Sequence, residues 1–162
     1  MNVEALRDDE VTALLRAAAY SPIGVLMPFA VYSGLRRGEI LGLQWGDVDF
    51  ESETVIVRRS QIVTTDGTIL DETPKTESAV RMVALPRPAV EALRAARHEQ
   101  LDAGRTVSWN DHVFRGPDGQ PFRPDYISQA FREIRERAGV RALSFHALRY
   151  TAAVSDTRSP LP

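Results

Sequence analysis

The sequence predicts an α+β fold, mainly helical, with one small antiparallel sheet set between helices. Three observations carry that reading. Residues 8–44 hold apolar positions at helical spacing, punctuated by acidic or Ser-Pro starts and by glycine. Residues 54–85 switch to β-branched runs around an Asp66-Gly67 turn. From Pro88 the helical period returns and continues, across one loop-rich stretch, to about residue 153. The chain has 162 residues, 43% hydrophobic and 26% charged, which suits one domain able to bury a core. That domain is expected over 1–153, followed by an irregular tail at 154–162 whose breakers and polar residues show no period.

Asp8-Asp9-Glu10 precedes Val11, Leu14, Leu15 and Ala18, so a first amphipathic helix is expected over about 8–19. Ser21-Pro22 reads as a cap with proline in the first turn of a second helix, about 22–33. That helix is apolar nearly all round and should lie at the centre of the core. After Ser33-Gly34, Arg37 to Gln44 forms another short helix. The runs 54–57 and 61–63 are strands, and 79–85 is a further strand ended by Pro86. A sheet of two or three strands results. Pro88 opens a helix with Val90 and Leu93 inward and Gly104 as its stop. Residues 105–123 are loop, with a turn at Pro117-Asp118-Gly119. Pro124 opens a helix that carries Ile127, Ala130, Phe131 and Ile134 and ends at Gly139. Ser144 caps a last helix from Phe145 to about Ala153.

Composition removes several function classes. The absence of cysteine excludes a disulfide framework, a thiolate nucleophile, a Cys-ligated zinc site and an iron–sulfur cluster. It fits a reducing compartment, and a cytoplasmic protein is expected. No secretory pattern opens the chain, and the longest apolar stretch, Ile23 to Tyr32, is too short for a membrane span and contains Pro28. Net charge is −2, unevenly spread: residues 1–53 carry −5 and the remainder +3. Of the 20 basic residues only Lys75 is lysine. In a chain that uses arginine almost everywhere, a single lysine either marks a position where arginine would not serve or is a chance survivor, and composition alone does not choose between the two.

Three segments hold groups suited to phosphate chemistry. Arg36 and Arg37 follow the Gly34 break, at the mouth of a helix backed by an apolar one, with Glu39 placed to hold an arginine. A guanidinium offers two parallel donors to phosphate oxygens. Lys75 lies in a hairpin-like connection before the last strand, and an ammonium group, unlike a guanidinium, can release its proton. His146 and Arg149 share one face of a helical turn. Each segment alone also fits an ordinary surface role. Together they supply cations for the equatorial oxygens, a proton donor and a proton acceptor, the set that metal-free phosphoryl transfer requires apart from a nucleophile. Metal chemistry has less support. His98, His112 and His146 are far apart in sequence, and Asp47-Val48-Asp49 reads as a turn or cap.

In this order and spacing, SGLRRGEILGLQWGDVDF (33–50), PKTESAVRMVALP (74–86) and FHALRYTAA (145–153) resemble the catalytic domain of the tyrosine recombinases, the phage-integrase family. The resemblance covers about residues 3–153. It implies a helical catalytic domain of the DNA breaking-rejoining type, acting on double-stranded DNA with no metal or other cofactor. By position, Arg36 matches the first catalytic arginine and Glu39 the acid that supports it. Lys75 matches the lysine thought to protonate the leaving 5′ oxygen. His146 and Arg149 match the His-x-x-Arg pair, for proton transfer and the second phosphate clamp. Arg37 and Arg81 are expected to contact DNA. In the family a tyrosine then attacks the scissile phosphate.

The sequence departs from the family pattern in two places. Tyr150 stands where the family usually has a second histidine, and Tyr150, at i+1 from Arg149, is expected to face away from the clamp. After Ala153 the chain reads VSDTRSPLP, without the Leu-Gly-His segment and nucleophilic tyrosine of the family. The expectation is therefore a truncated recombinase domain that clamps phosphate but does not cleave DNA alone. The alternative is a non-catalytic DNA- or partner-binding fragment that modulates or complements intact recombinase subunits. Loss of the final helices is also expected to expose core surface from Ile23–Leu35, Phe131 and Ile134.

Overall fold

A computed structural model describes residues 5–76 and 79–152. Helix α1, Asp8–Ala18, starts where expected. Its three acidic residues sit in the first turn, where the helix dipole favours negative charge. Glu10 Oε2 accepts the Arg7 backbone N–H at 2.8 Å and so covers one of the donors that a helix start leaves open.

Helix α2, Leu26–Ser33, begins four residues later than the sequence suggests. Residues 22–25 form tight turns, with the Gly24 N–H bonded to the Ser21 carbonyl at 2.9 Å. A Cβ on Gly24 would come within 2.7 Å of the Ala18 carbonyl oxygen, so the chain closes on itself there in a way a regular helix would not. Pro28 falls in the first turn of α2, where its missing N–H has no intrahelical partner to lose. Gly34, at φ +72°, ends the helix in the left-handed conformation that suits glycine.

Helix α3 is short, Arg37–Leu41. The chain then makes a 3₁₀ turn over Trp45–Asp47 and enters two sheets rather than the single one expected. Strands β1 (Val48–Asp49), β2 (Thr54–Val57) and β5 (Arg81–Ala84) form an antiparallel sheet in the order β1-β2-β5. Strands β3 (Ser60–Val63) and β4 (Ile69–Glu72) form a separate antiparallel hairpin closed around Asp66-Gly67. Strand β4 escaped the sequence reading because it ends in two acidic residues, which rarely populate strands. The short β1 lies where the sequence predicts a turn or cap.

Helix α4, Arg87–Asp102, starts one residue before the expected Pro88, while α5, Pro124–Ala138, starts at its expected proline and ends at Gly139, φ +69°. The last helix opens as a 3₁₀ turn, Phe145–Ala147, and becomes α-helical over 148–152. Helix α2 packs against α4, and α1 against α5. One core runs from Leu6 to Leu148, with Phe29 and Phe114 buried against each other at 5.4 Å between ring centres.

The expected exposure of core surface is overturned. Ile23, Leu35, Phe131 and Ile134 are all buried. Phe145 closes over Phe131 edge-to-face at 5.6 Å. The ends of the described chain also meet: Thr151 Oγ1 accepts the Leu6 N–H at 3.1 Å, and Arg141 reaches Glu10 and the Ala5 carbonyl. The tail expected at 154–162 lies outside the described residues. No described helix is long and apolar enough to cross a membrane.

Candidate functional site

The site is built on the junction between α2 and α3. Gly34 turns the chain out of α2, and Arg36 follows with extended backbone (φ −70°, ψ 152°) as the residue before α3. The Arg36 side chain is exposed, while its N–H is held by Glu39 Oε1 at 2.9 Å. Burial pushes the Glu39 carboxyl upward. Hydrogen bonds from Arg81 and from the Arg36 N–H outweigh this and hold it below the ordinary carboxylate value. Arg81, on β5, grips Glu39 with two parallel bonds, Nη1 to Oε2 at 2.6 Å and Nη2 to Oε1 at 3.0 Å. Thus Glu39 caps α3 with one oxygen and carries a strand arginine on both.

Arg149 joins the same junction from the other end of the sequence. Its Nε donates to the Gly34 carbonyl at 2.9 Å. Gly34 lies two residues before Arg36, so the structure brings the segments of both expected clamp arginines together. His146 is exposed one turn before Arg149. Tyr150 does not face away as expected. Its ring lies edge-on to the His146 imidazole at 6.4 Å, because i+4 from His146 is a neighbouring position on a helix.

Lys75 is exposed on a bend between β4 and β5. Arg37 is half-buried and donates to Ser128 Oγ at 2.5 Å, linking α3 to α5. The β3–β4 hairpin lies directly on α3. A Cβ on Gly38 would collide with Ser60 Oγ and would stand 2.8 Å from the Gln61 carbonyl oxygen.

Two features escaped the sequence reading. Asp47 is buried, accepts the Gln44 N–H at 3.0 Å, and pairs with Arg59 and with Arg58 Nε at 3.3 Å. Its role as a cap was readable; its arginines, eleven and twelve residues on, gave no local signal. Asp49 accepts the N–H groups of Glu51 and Ser52. Among the described residues no three acidic or histidine side chains converge into a cation site. The second feature is a groove of about 390 Å³ lined by Asp71, His112 and Arg123 among others, with His112 Nε2 2.8 Å from Asp71 Oδ2. None of Arg36, Lys75, His146 or Arg149 lines it.

Comparison with known proteins gives a consistent picture. The model of the phage integrase family matches residues 4–157. A tyrosine recombinase XerC-like protein of Caldanaerobacter subterraneus subsp. tengcongensis is 31% identical over 93% of this chain and 42% of its own length. The prophage integrase IntR of Escherichia coli K12 is 51% identical over 79% of this chain and 34% of its own. Among solved structures, the Tn1549 transposon integrase in complex with circular intermediate DNA superposes with a TM-score of 0.82 at 19% identity. That match covers 99% of this chain and 56% of the other. XerA recombinase gives 0.72 at 24% identity, over 96% and 51%. Both likenesses are of fold. The chain spans about two-fifths or less of the length of these curated relatives.

Proposed function

This chain belongs to the phage integrase family, and from that premise we propose that it binds double-stranded DNA and holds a scissile phosphodiester for metal-free strand exchange. The observation that carries the reading is the Arg149–Gly34 hydrogen bond, which supports two guanidinium groups converging on one phosphate. In this reaction Arg36 and Arg149 bind the non-bridging oxygens and neutralise the charge that builds on them. A tyrosine hydroxyl attacks phosphorus, His146 takes up its proton, the bond to the 5′ oxygen breaks, and Lys75 protonates that oxygen. The products are a 3′-phosphotyrosyl link and a free 5′ hydroxyl.

None of the four tyrosines of this sequence is assigned as the nucleophile. Tyr20 is almost wholly exposed at the α1–α2 turn, and Tyr126 stacks on Phe122 at 5.7 Å. Tyr32 lies within α2, and Tyr150 stands edge-on to the histidine that would accept the proton. These 162 residues alone are therefore expected to bind without cleaving, and to complete a site with a recombinase subunit that supplies the tyrosine.

The test uses a nicked duplex of mixed sequence at low salt. Fluorescence anisotropy should show binding that Arg36→Ala and Arg149→Ala each weaken about tenfold or more, the loss typical of a charged hydrogen-bonding group. Denaturing gels should show no protein–DNA adduct. Binding indifferent to both arginines would overturn the phosphate clamp. An adduct abolished by Tyr150→Phe would make Tyr150 the nucleophile and overturn the in-trans assignment.

A further inference from the structure

Helix α3 is only five residues long, yet two strands are fastened to it at adjacent positions. At Gly38 the missing side chain lets β3 lie against the helix, with Ser60 and Gln61 in the space that a Cβ would take. At Glu39 the buried carboxylate holds Arg81 of β5 by two bonds of 2.6 and 3.0 Å. Strand β3 pairs with β4, which ends at Glu72. Lys75 follows β4 by three residues and precedes Arg81 by six. The segment bearing Lys75 is thus anchored on both sides to the helix that Arg36 introduces.

The two anchors differ in kind. The Gly38 contact is one of shape and resists only approach. The Arg81–Glu39 contact is charge-assisted and bidentate, and it fixes direction as well as distance. Glu39 also holds the Arg36 N–H, so the same carboxylate sets the backbone from which the Arg36 side chain projects.

We propose that Arg81 is a positioning residue that registers the Lys75 segment against Arg36 through Glu39, and that it does not itself bind a DNA phosphate. The two bonds to the buried carboxylate fix the direction of the Arg81 guanidinium and offset its charge locally, so its part in holding Glu39 competes with binding a second anion. Releasing the guanidinium would leave Glu39 buried without its cation, which is costly.

Two measurements test this. The first is amide hydrogen exchange on the 162-residue chain, which needs no DNA. Arg81→Ala should speed exchange about tenfold at both 36–40 and 69–76, leaving α1, α4 and α5 unchanged. Arg81→Lys keeps the charge but not the fork, and should restore only part. Faster exchange confined to β5, or full rescue by lysine, overturns the proposal. The second measurement rests on the proposed DNA binding. On a duplex, Arg36→Ala should lower the slope of log affinity against log salt by about one, and Arg81→Ala should leave it unchanged. The non-additivity between Arg36→Ala and Lys75→Ala should vanish in the Arg81→Ala background. A fall of about one in the slope for Arg81→Ala makes Arg81 a phosphate ligand and overturns the proposal. If the parent chain binds no duplex while exchange couples the two segments, the DNA reading fails and the tether stands.

Discussion

The Nε of Arg149 donates to the carbonyl of Gly34 across 2.9 Å, joining residues 115 positions apart in the chain. The acceptor is the backbone of the residue that turns α2 toward Arg36. The bond therefore orients the Arg149 guanidinium by one nitrogen and leaves its terminal nitrogens for a ligand. That division of labour follows from the fork shape of arginine and is not available to lysine.

Arg149→Lys should accordingly behave almost as poorly as Arg149→Ala in duplex binding, despite keeping its charge. Both substitutions should also cost about 1 kcal/mol of folding stability through the lost hydrogen bond. Urea denaturation and anisotropy on the same samples separate the two effects. Gly34→Ala should disturb the site from the other partner. It places a side chain at φ +72° and in contact with Ala152 Cβ at 3.4 Å, for a cost of about 1–2 kcal/mol. A Gly34→Ala protein that binds DNA as well as the parent would remove the Gly34 carbonyl from the account.

Glu39 gives a pH prediction with a definite sign. Its carboxyl sits below the ordinary value in the folded chain, so the unfolded chain holds more protons in the acid range. Its contribution is fully present above the unfolded glutamate value of about 4.3 and is lost as pH falls through the lower folded value. Glu39→Gln should be less stable than the parent at pH 7, because it leaves Arg81 without its counter-charge. The gap between the two proteins should narrow as the medium is acidified. Urea midpoints taken in steps from pH 7 to strong acid would show it, and a constant gap would count against the assignment.

Gly38→Ala should act on the hairpin and not on the main core. The added methyl group meets Ser60 Oγ and the Gln61 carbonyl, and relief requires β3 to move as a body. Overpacking of this kind costs about 1–3 kcal/mol. The loss should appear as faster amide exchange over 60–63 and 69–72, with α2 and α4 protected as before. Uniform loss of protection would mean that the hairpin is part of one cooperative unit with the helices.

These features were unequally readable from the sequence. The helices α1, α4 and α5 announce themselves through acidic starts, prolines at the first turn and glycines at the end, all local signals. The proposed site residues Arg36, Lys75, His146 and Arg149 stand out in the sequence through their order along the chain. The contacts that organise them do not. Arg81 and Glu39 lie 42 positions apart, and Arg59 and Asp47 lie 12 apart, with no periodicity linking either pair. The β3–β4 hairpin was missed as a separate sheet because β4 has a weak strand composition and no apolar face to bury. Tyr150 follows Arg149 directly in the sequence, whereas its neighbour in space is His146, four positions back.

A buried hydroxyl helps to anchor the last helical segment, beside the Arg149–Gly34 bond and the packing of Phe145, and the segment's stability should depend on that group. Thr151 Oγ1 accepts the Leu6 N–H at 3.1 Å, and Thr151 is buried. Thr151→Val preserves shape but leaves the Leu6 N–H without this acceptor, a cost of about 1–3 kcal/mol for a buried donor. Thr151→Ser retains the acceptor and removes a methyl group, so it should cost about 1 kcal/mol. If valine is worse than serine, the hydrogen bond and not the packing holds the segment. Because His146 and Arg149 precede Thr151 in the same turn and helix, the valine variant should also weaken duplex binding, although residue 151 itself is buried and offers DNA no surface. Equal stability and binding in the two variants would show that the packing of Phe145 and Leu148 is sufficient to fix the clamp.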